Sequence, residues 1–160
     1  MPHGRVIVSI MQNILVPLDG TEYAWRALEY AASLAGLSGG CLSIVTVVGE
    51  GGGSPSVSAP LRSQEEQEEE VDDETTVMQV GNDVLDAAET VMESHPGLEC
   101  NYILMHSEDV AGAILEAIRS NHCDTVVLGC RGRSLFHQLL RRSVCQSLVE
   151  KAEVPVFLIK

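Results

Sequence analysis

The chain has 160 residues, of which 45% are apolar, with one Trp, three Tyr and two Phe. That is the length of one domain whose core is mainly aliphatic and alanine-rich. Its formal charge is −13, and no run of about eighteen consecutive apolar residues occurs, which argues against a membrane span.

Residues 1–10 precede the first core strand and are open to three readings. They form an added edge strand with Val6, Val8 and Ile10 alternating, an expression remnant, or a start upstream of Met11. Val6–Met11 is too short, and Arg5 too isolated, for a signal peptide. The domain is expected over 12–160, with 1–11 as an N-terminal extension.

Asn13–Leu18 reads as a buried strand ending at Asp19-Gly20. Thr21 caps the next helix, in which Ala24, Ala27, Leu28, Ala31 and Ala35 share a face, and Gly36 is expected to end it. Leu42–Val48 is a β-branched strand. The following Gly/Pro-rich stretch and the acidic run Glu65–Glu74 make a flexible insertion at about 49–76. That run carries eight of the 23 acidic residues, so the rest of the chain is near −5, ordinary for a soluble domain. It argues against nucleic acid as a partner of that face. It is read as a solvated loop or helix start in preference to a partner-docking role.

A helix follows with Val77, Val80, Val84, Ala88 and Val91 in register, and His95-Pro96-Gly97 closes it. Cys100–His106 is a third strand. Ser107 is placed to cap a helix with Glu108 and Asp109 in its first turn and Val110, Ala113, Ile114, Ala117 and Ile118 as its apolar stripe. Thr125–Leu128 is a fourth strand, Ser143–Ala152 a helix and Val156–Ile159 a closing strand.

Continuous apolar strands between amphipathic helices predict an α/β fold, a doubly wound five-stranded parallel sheet in a three-layer α/β/α arrangement. Ligands of such sheets bind beyond the carboxyl ends of the strands, where strand order reverses. Asp19 and Gly129 are both expected on that edge. Four of the ten Lys/Arg residues lie at 131–142, with no acidic residue among them. Gly129 and Gly132, with that charge and a following helix start, fit an anion site built from backbone N–H groups. The competing reading is a tight strand-to-helix turn on a basic surface.

Asn13–Thr21 with Ala27–Ala31, and Leu128–Gly132 with Ser143-Val144 and Val154–Ile159, resemble universal stress protein domains. The resemblance covers about 12–160 and implies a Rossmann-like fold related to the adenine nucleotide alpha hydrolases. Nucleotide-binding members carry Gly-x2-Gly-x9-Gly-Ser/Thr. Gly129, Gly132 and Ser143 match, whereas Arg142 stands in place of the third Gly. By resemblance, Asp19 lies near ribose and adenine with Pro17 and Leu18 beside it, Val47 and Leu128 line the base pocket, and Gly129, Gly132, Ser143 and the Val144 amide hold phosphates. Arg131 and Arg142 complete the expected cofactor-binding set. Arg142 either obstructs the approach or forks onto phosphate. ATP, ADP and AMP are the candidate ligands, with Mg2+ only alongside ATP.

The resemblance implies a homodimer through strand 156–159, and a protein partner is unidentified. The expected role is a cytoplasmic, nucleotide-responsive regulatory or protective protein, with binding rather than turnover. The alternatives are a nucleotide-independent dimeric module with a vestigial site and a slow ATPase or autophosphorylating protein. No catalytic or metal-ligating residue is assigned: His137 has no evident Ser or Cys partner in sequence, and the five His show no metal spacing. Ser38-Gly39-Gly40 is a helix-ending turn rather than a pyrophosphatase motif, and GxxxxGK[ST] is missing. Five Cys without CxxC pairing predict reduced thiols, several of them buried. Cys130, beside Arg131 and Arg133, is a candidate for a lowered thiol pKa.

Overall fold

A computed structural model describes residues 11–49, 74–130 and 144–160. The elements are β1 (Asn13–Pro17), α1 (Glu22–Ser38), β2 (Cys41–Val48), α2 (Glu74–Met92), β3 (Cys100–His106), α3 (Val110–Ser120), β4 (Thr125–Gly129), α4 (Val144–Lys151) and β5 (Val156–Ile159). The residues expected as an N-terminal extension (apart from Met11), most of the acidic insertion, and Arg131, Gly132, Arg142 and Ser143 lie outside the described set.

The five strands form one parallel sheet in the order β3-β2-β1-β4-β5. The chain winds outward from β1 to β3, then returns to the other side of β1 for β4 and β5. The reversal therefore falls between β1 and β4. Alternation along the strands sends Ile14, Val16 and Ile44 to the face covered by α1 and α2, and Leu15, Val45, Val126 and Leu128 to the face covered by α3 and α4. Both faces are covered at the central strands β1, β2 and β4, most of whose residues are buried, as their continuous apolar runs require.

Alanine decides how α1 lies. Ala24, Ala27, Ala31 and Ala35 are all buried along one stripe, and such small side chains let the helix backbone come close to the sheet. The helix begins where expected, with the Thr21 side chain accepting from the Ala24 amide at 3.3 Å. Its end differs. Gly36 lies inside the helix, and Gly39 ends it in the left-handed conformation with φ 70°. Leu37 and Ser38 meet no obstacle to helical φ/ψ, whereas Gly39 adopts the C′ geometry that glycine alone takes without steric cost.

The start of α3 also moves by two residues. Asp109, not Ser107, is the cap, and its side chain accepts from the Gly112 amide at 2.9 Å. Ser107 instead accepts from the Asp109 amide at 3.1 Å, which orients the true cap. At the amino ends of the strands, Asn13 Nδ2 donates to the Asn121 carbonyl at 2.6 Å and Asn13 Oδ1 accepts from Ser43 at 3.0 Å. These bonds join β1, β2 and the α3–β4 turn, and they satisfy polar groups that would otherwise sit unpaired beside the core. No helix among the described residues is long and apolar enough to cross a membrane.

Candidate functional site

The sheet's reversal leaves a cleft beyond the carboxyl ends of β1, β2 and β4. It holds about 510 Å³ including its open mouth. Its lining includes Pro17, Leu18 and Asp19 after β1, Val45 and Val47 from β2, Leu128 and Gly129 from β4, and Val144 and Cys145 from α4. Val110 and Ile114 close the side facing α3, and Ala24 that facing α1. All seven described members of the expected cofactor-binding set line this one cleft: Pro17, Leu18, Asp19, Val47, Leu128, Gly129 and Val144. The other four, Arg131, Gly132, Arg142 and Ser143, lie outside the described residues.

The cleft wall is apolar, and Asp19 supplies a carboxylate at its rim. The chain is held there by the Leu18 amide, which donates to the Val45 carbonyl at 2.8 Å and extends the β1–β2 pairing one residue past the strand. Gly20 then turns the chain at φ 80°, and the Trp25 indole N–H secures that turn through the Gly20 carbonyl at 3.2 Å. Asp19 Oδ1 accepts from both the amide and the hydroxyl of Thr21. Asp19 is therefore an anchored acceptor, held by the same residue that caps α1.

Gly129 has a structural reason of its own. A Cβ there would fall on the Tyr23 carbonyl group and within 2.6 Å of the Ala24 amide nitrogen. The missing side chain lets β4 end directly against the first turn of α1. Asp19 and Gly129, at the ends of the neighbouring strands β1 and β4, both line one cleft, and the contact with α1 accounts for the glycine whatever binds there.

Five lining residues were not expected from sequence. Val110 and Ile114 sit one turn apart on the α3 stripe, and Val45 lies two residues before Val47 on the same side of β2. Their periodicity announced burial but not which buried positions face a cleft. Ala24 had likewise read only as core. Cys145 carried no signal, because its importance depends on what lies beside it in space.

That neighbour is Cys130. The two are joined as a disulfide with Cα atoms 6.5 Å apart. The expectation of reduced thiols is thus corrected at this pair: in the structure Cys130 is a disulfide partner rather than a free thiol. A separation of fifteen residues shows no pairing in sequence, but the end of β4 and the start of α4 meet in the fold. Cys41, Cys100 and Cys123 are free thiols. Burial pushes all three upward, and nearby acidic groups add to the rise at Cys41 and Cys123.

An open parallel α/β sheet with a cleft at its reversal point defines a domain of the doubly wound class, whose members bind ligands at that point. The sequence model of the universal stress protein family matches residues 11–160, and this chain belongs to that family. A comparison with curated proteins gives no match. Among solved structures, a universal stress protein family member from Burkholderia pseudomallei is 27% identical, with 93% of this chain and 96% of that chain covered at a TM-score of 0.66. A universal stress protein from Archaeoglobus fulgidus in complex with dAMP is 20% identical over 93% and 98% of the two chains, TM-score 0.67. One from Arabidopsis thaliana with AMP bound is 16% identical over 93% and 91%, TM-score 0.64.

Proposed function

We propose that this universal stress protein is a cytoplasmic regulator or protective protein that binds an adenine nucleotide in the cleft at the sheet's reversal and does not turn it over. The observation that carries this reading is that Asp19 and Gly129, from distant parts of the chain, line one apolar cleft. Similar structures holding AMP and dAMP support the same ligand class.

The residues present fit such a ligand. Pro17, Val47, Val110 and Ile114 offer apolar surface to a purine. Asp19, as an acceptor, suits a ribose hydroxyl or the adenine amino group. Val144 opens α4, and the first amides of a helix lack intrahelical partners and favour anions. Arg131, Gly132, Arg142 and Ser143 belong to the connecting stretch, whose sequence carries the phosphate motif with Arg142 in place of its third Gly. In this reading, ligand binding shifts the population of conformers that protein partners recognise.

Titration calorimetry with AMP, ADP and ATP, the last with and without Mg2+, tests the proposal. Heat that saturates at micromolar to low millimolar ligand is expected. No heat at millimolar concentrations of any of the three overturns it. That outcome favours the second reading, an interaction module with a vestigial site, for which one observation speaks: packing against α1 already explains Gly129.

The assembly we propose is a homodimer through β5. This strand is at the sheet edge and, among the described residues, pairs only with β4. Leu158 on it is 39% exposed. An apolar edge strand invites pairing with another chain, and a symmetry mate supplies that closure.

A further inference from the structure

The disulfide between Cys130 and Cys145 has a location that bears on the cleft. Cys130 directly follows β4, is buried, and has its amide bound to the Ile159 carbonyl at 2.8 Å. Its position is therefore fixed by the sheet. Cys145 lies in the first turn of α4, is half-buried, and lines the cleft beside Val144 and Gly129. The bond ties the start of α4 to the sheet at the point where the proposed nucleotide phosphates would lie.

The other three cysteines are elsewhere. Cys41 and Cys100 open β2 and β3, and Cys123 precedes β4, so all three sit at the opposite, amino end of the strands. They are unpaired, and their burial disfavours the thiolate needed for exchange. Among the five cysteines of the chain, one pair is within bonding reach, and that pair adjoins the ligand cleft.

We propose that Cys130 and Cys145 form a reversible thiol–disulfide switch that sets the affinity of the cleft for its adenine nucleotide, the disulfide being the tighter-binding state. The inference rests on the nucleotide reading above. Its oxidant is a low-molecular-weight disulfide such as oxidised glutathione. The more accessible Cys145 thiolate attacks one sulfur of that molecule, forming a mixed disulfide and releasing the first small thiolate. Cys130 thiolate then attacks Cys145 Sγ, the protein S–S bond forms, and the second small thiolate leaves. The protein loses two electrons and two protons, and two small thiols carry them away.

The direction follows from chain entropy. A phosphate group gripped between the ends of β4 and α4 requires both ends in place. In the dithiol form, the start of α4 is held only by the packing of residues such as Leu148 and Val144 on the sheet, which leaves it more freedom. In the disulfide form, the crosslink has already removed much of that freedom, so less ordering opposes binding.

The test uses the full chain equilibrated in reduced-to-oxidised glutathione mixtures. Differential alkylation and mass spectrometry give the fraction of Cys130–Cys145 bond, and calorimetry with AMP gives affinity at each end of the series. The expected result is that AMP binds at least about fivefold more tightly to the oxidised form. Cys130→Ser and Cys145→Ala should each lose the dependence on glutathione ratio, and Cys123→Ala should keep it. Failure of the bond to form even in fully oxidised buffer overturns the proposal. So does equal or weaker AMP affinity with the bond formed, an outcome that leaves the nucleotide reading standing. AMP binding by neither form overturns the nucleotide reading and the coupling with it, while the alkylation map still reports whether the bond exists.

Discussion

Asp19 and Thr21 form a closed local unit: Asp19 Oδ1 accepts from the Thr21 amide at 3.0 Å and from its hydroxyl at 2.6 Å. Thr21 Oγ1 in turn accepts from the Ala24 amide. One hydroxyl thus caps α1 and aims the carboxylate at the rim of the cleft. Thr21→Ala should lower unfolding free energy by about 1 kcal/mol, the usual cost of a lost N-cap, and should weaken AMP binding as well. Thr21→Ser, which keeps the hydroxyl, should restore both. Urea denaturation and calorimetry on the two variants check this; full AMP affinity in Thr21→Ala would show that the hydroxyl does not position Asp19.

Asp19→Ala tests the carboxylate itself. It removes the acceptor without adding bulk, and AMP affinity should fall at least about tenfold, near 1.4 kcal/mol. Asp19→Asn keeps a neutral acceptor oxygen and should fall between the two. An Asp19→Ala variant that binds like the parent would place the ligand elsewhere.

At Gly129 the expected effect is on folding. A methyl group there meets the backbone of Tyr23 and Ala24, which cannot rotate away as a side chain can. Gly129→Ala should therefore cost about 1–3 kcal/mol of stability, the range for overpacking, with or without nucleotide. A stability within about 0.5 kcal/mol of the parent would mean that α1 shifts at little cost.

Tyr102 gives a pH prediction. Burial first, then the neighbouring Cys100 and Glu89, push its phenol up to about 12 from an ordinary 10. An unfolded chain ionises this group near pH 10, whereas the folded chain keeps it neutral until about 12. Its contribution to stability is thus fully present below pH 10 and is lost as pH rises toward 12. Ultraviolet titration should show a late ionisation phase near pH 12 in the native protein that vanishes in Tyr102→Phe; identical titrations of the two proteins above pH 10 would contradict it.

The β5 edge predicts a dimer. Sedimentation at micromolar concentration should give twice the chain mass, and Leu158→Asp should yield monomer, because a carboxylate buried between two apolar strands is strongly disfavoured. An unchanged sedimentation coefficient for Leu158→Asp would move the interface away from this strand.

The amino-acid order by itself determined the element sequence, the parallel sheet and most of the cleft. Apolar strands with no polar alternation must be covered on both faces, and helices such as Val110–Ser120 show which stripe covers them. Asp19 and Gly129 were legible because each ends such a strand. The start of α3 was less so, since Ser107 and Asp109 are both competent caps and only the fold shows which one the first helical amides reach.

What only tertiary structure decided depends on distance between remote segments. It assigned Gly129 to contact with α1, added Val110 and Ile114 to the cleft wall, and joined Cys130 to Cys145. Periodicity reports whether a side chain is buried, because burial repeats with the helix or strand. It does not report what that side chain is buried against, since that depends on how the chain crosses from β3 over β2 and β1 to β4.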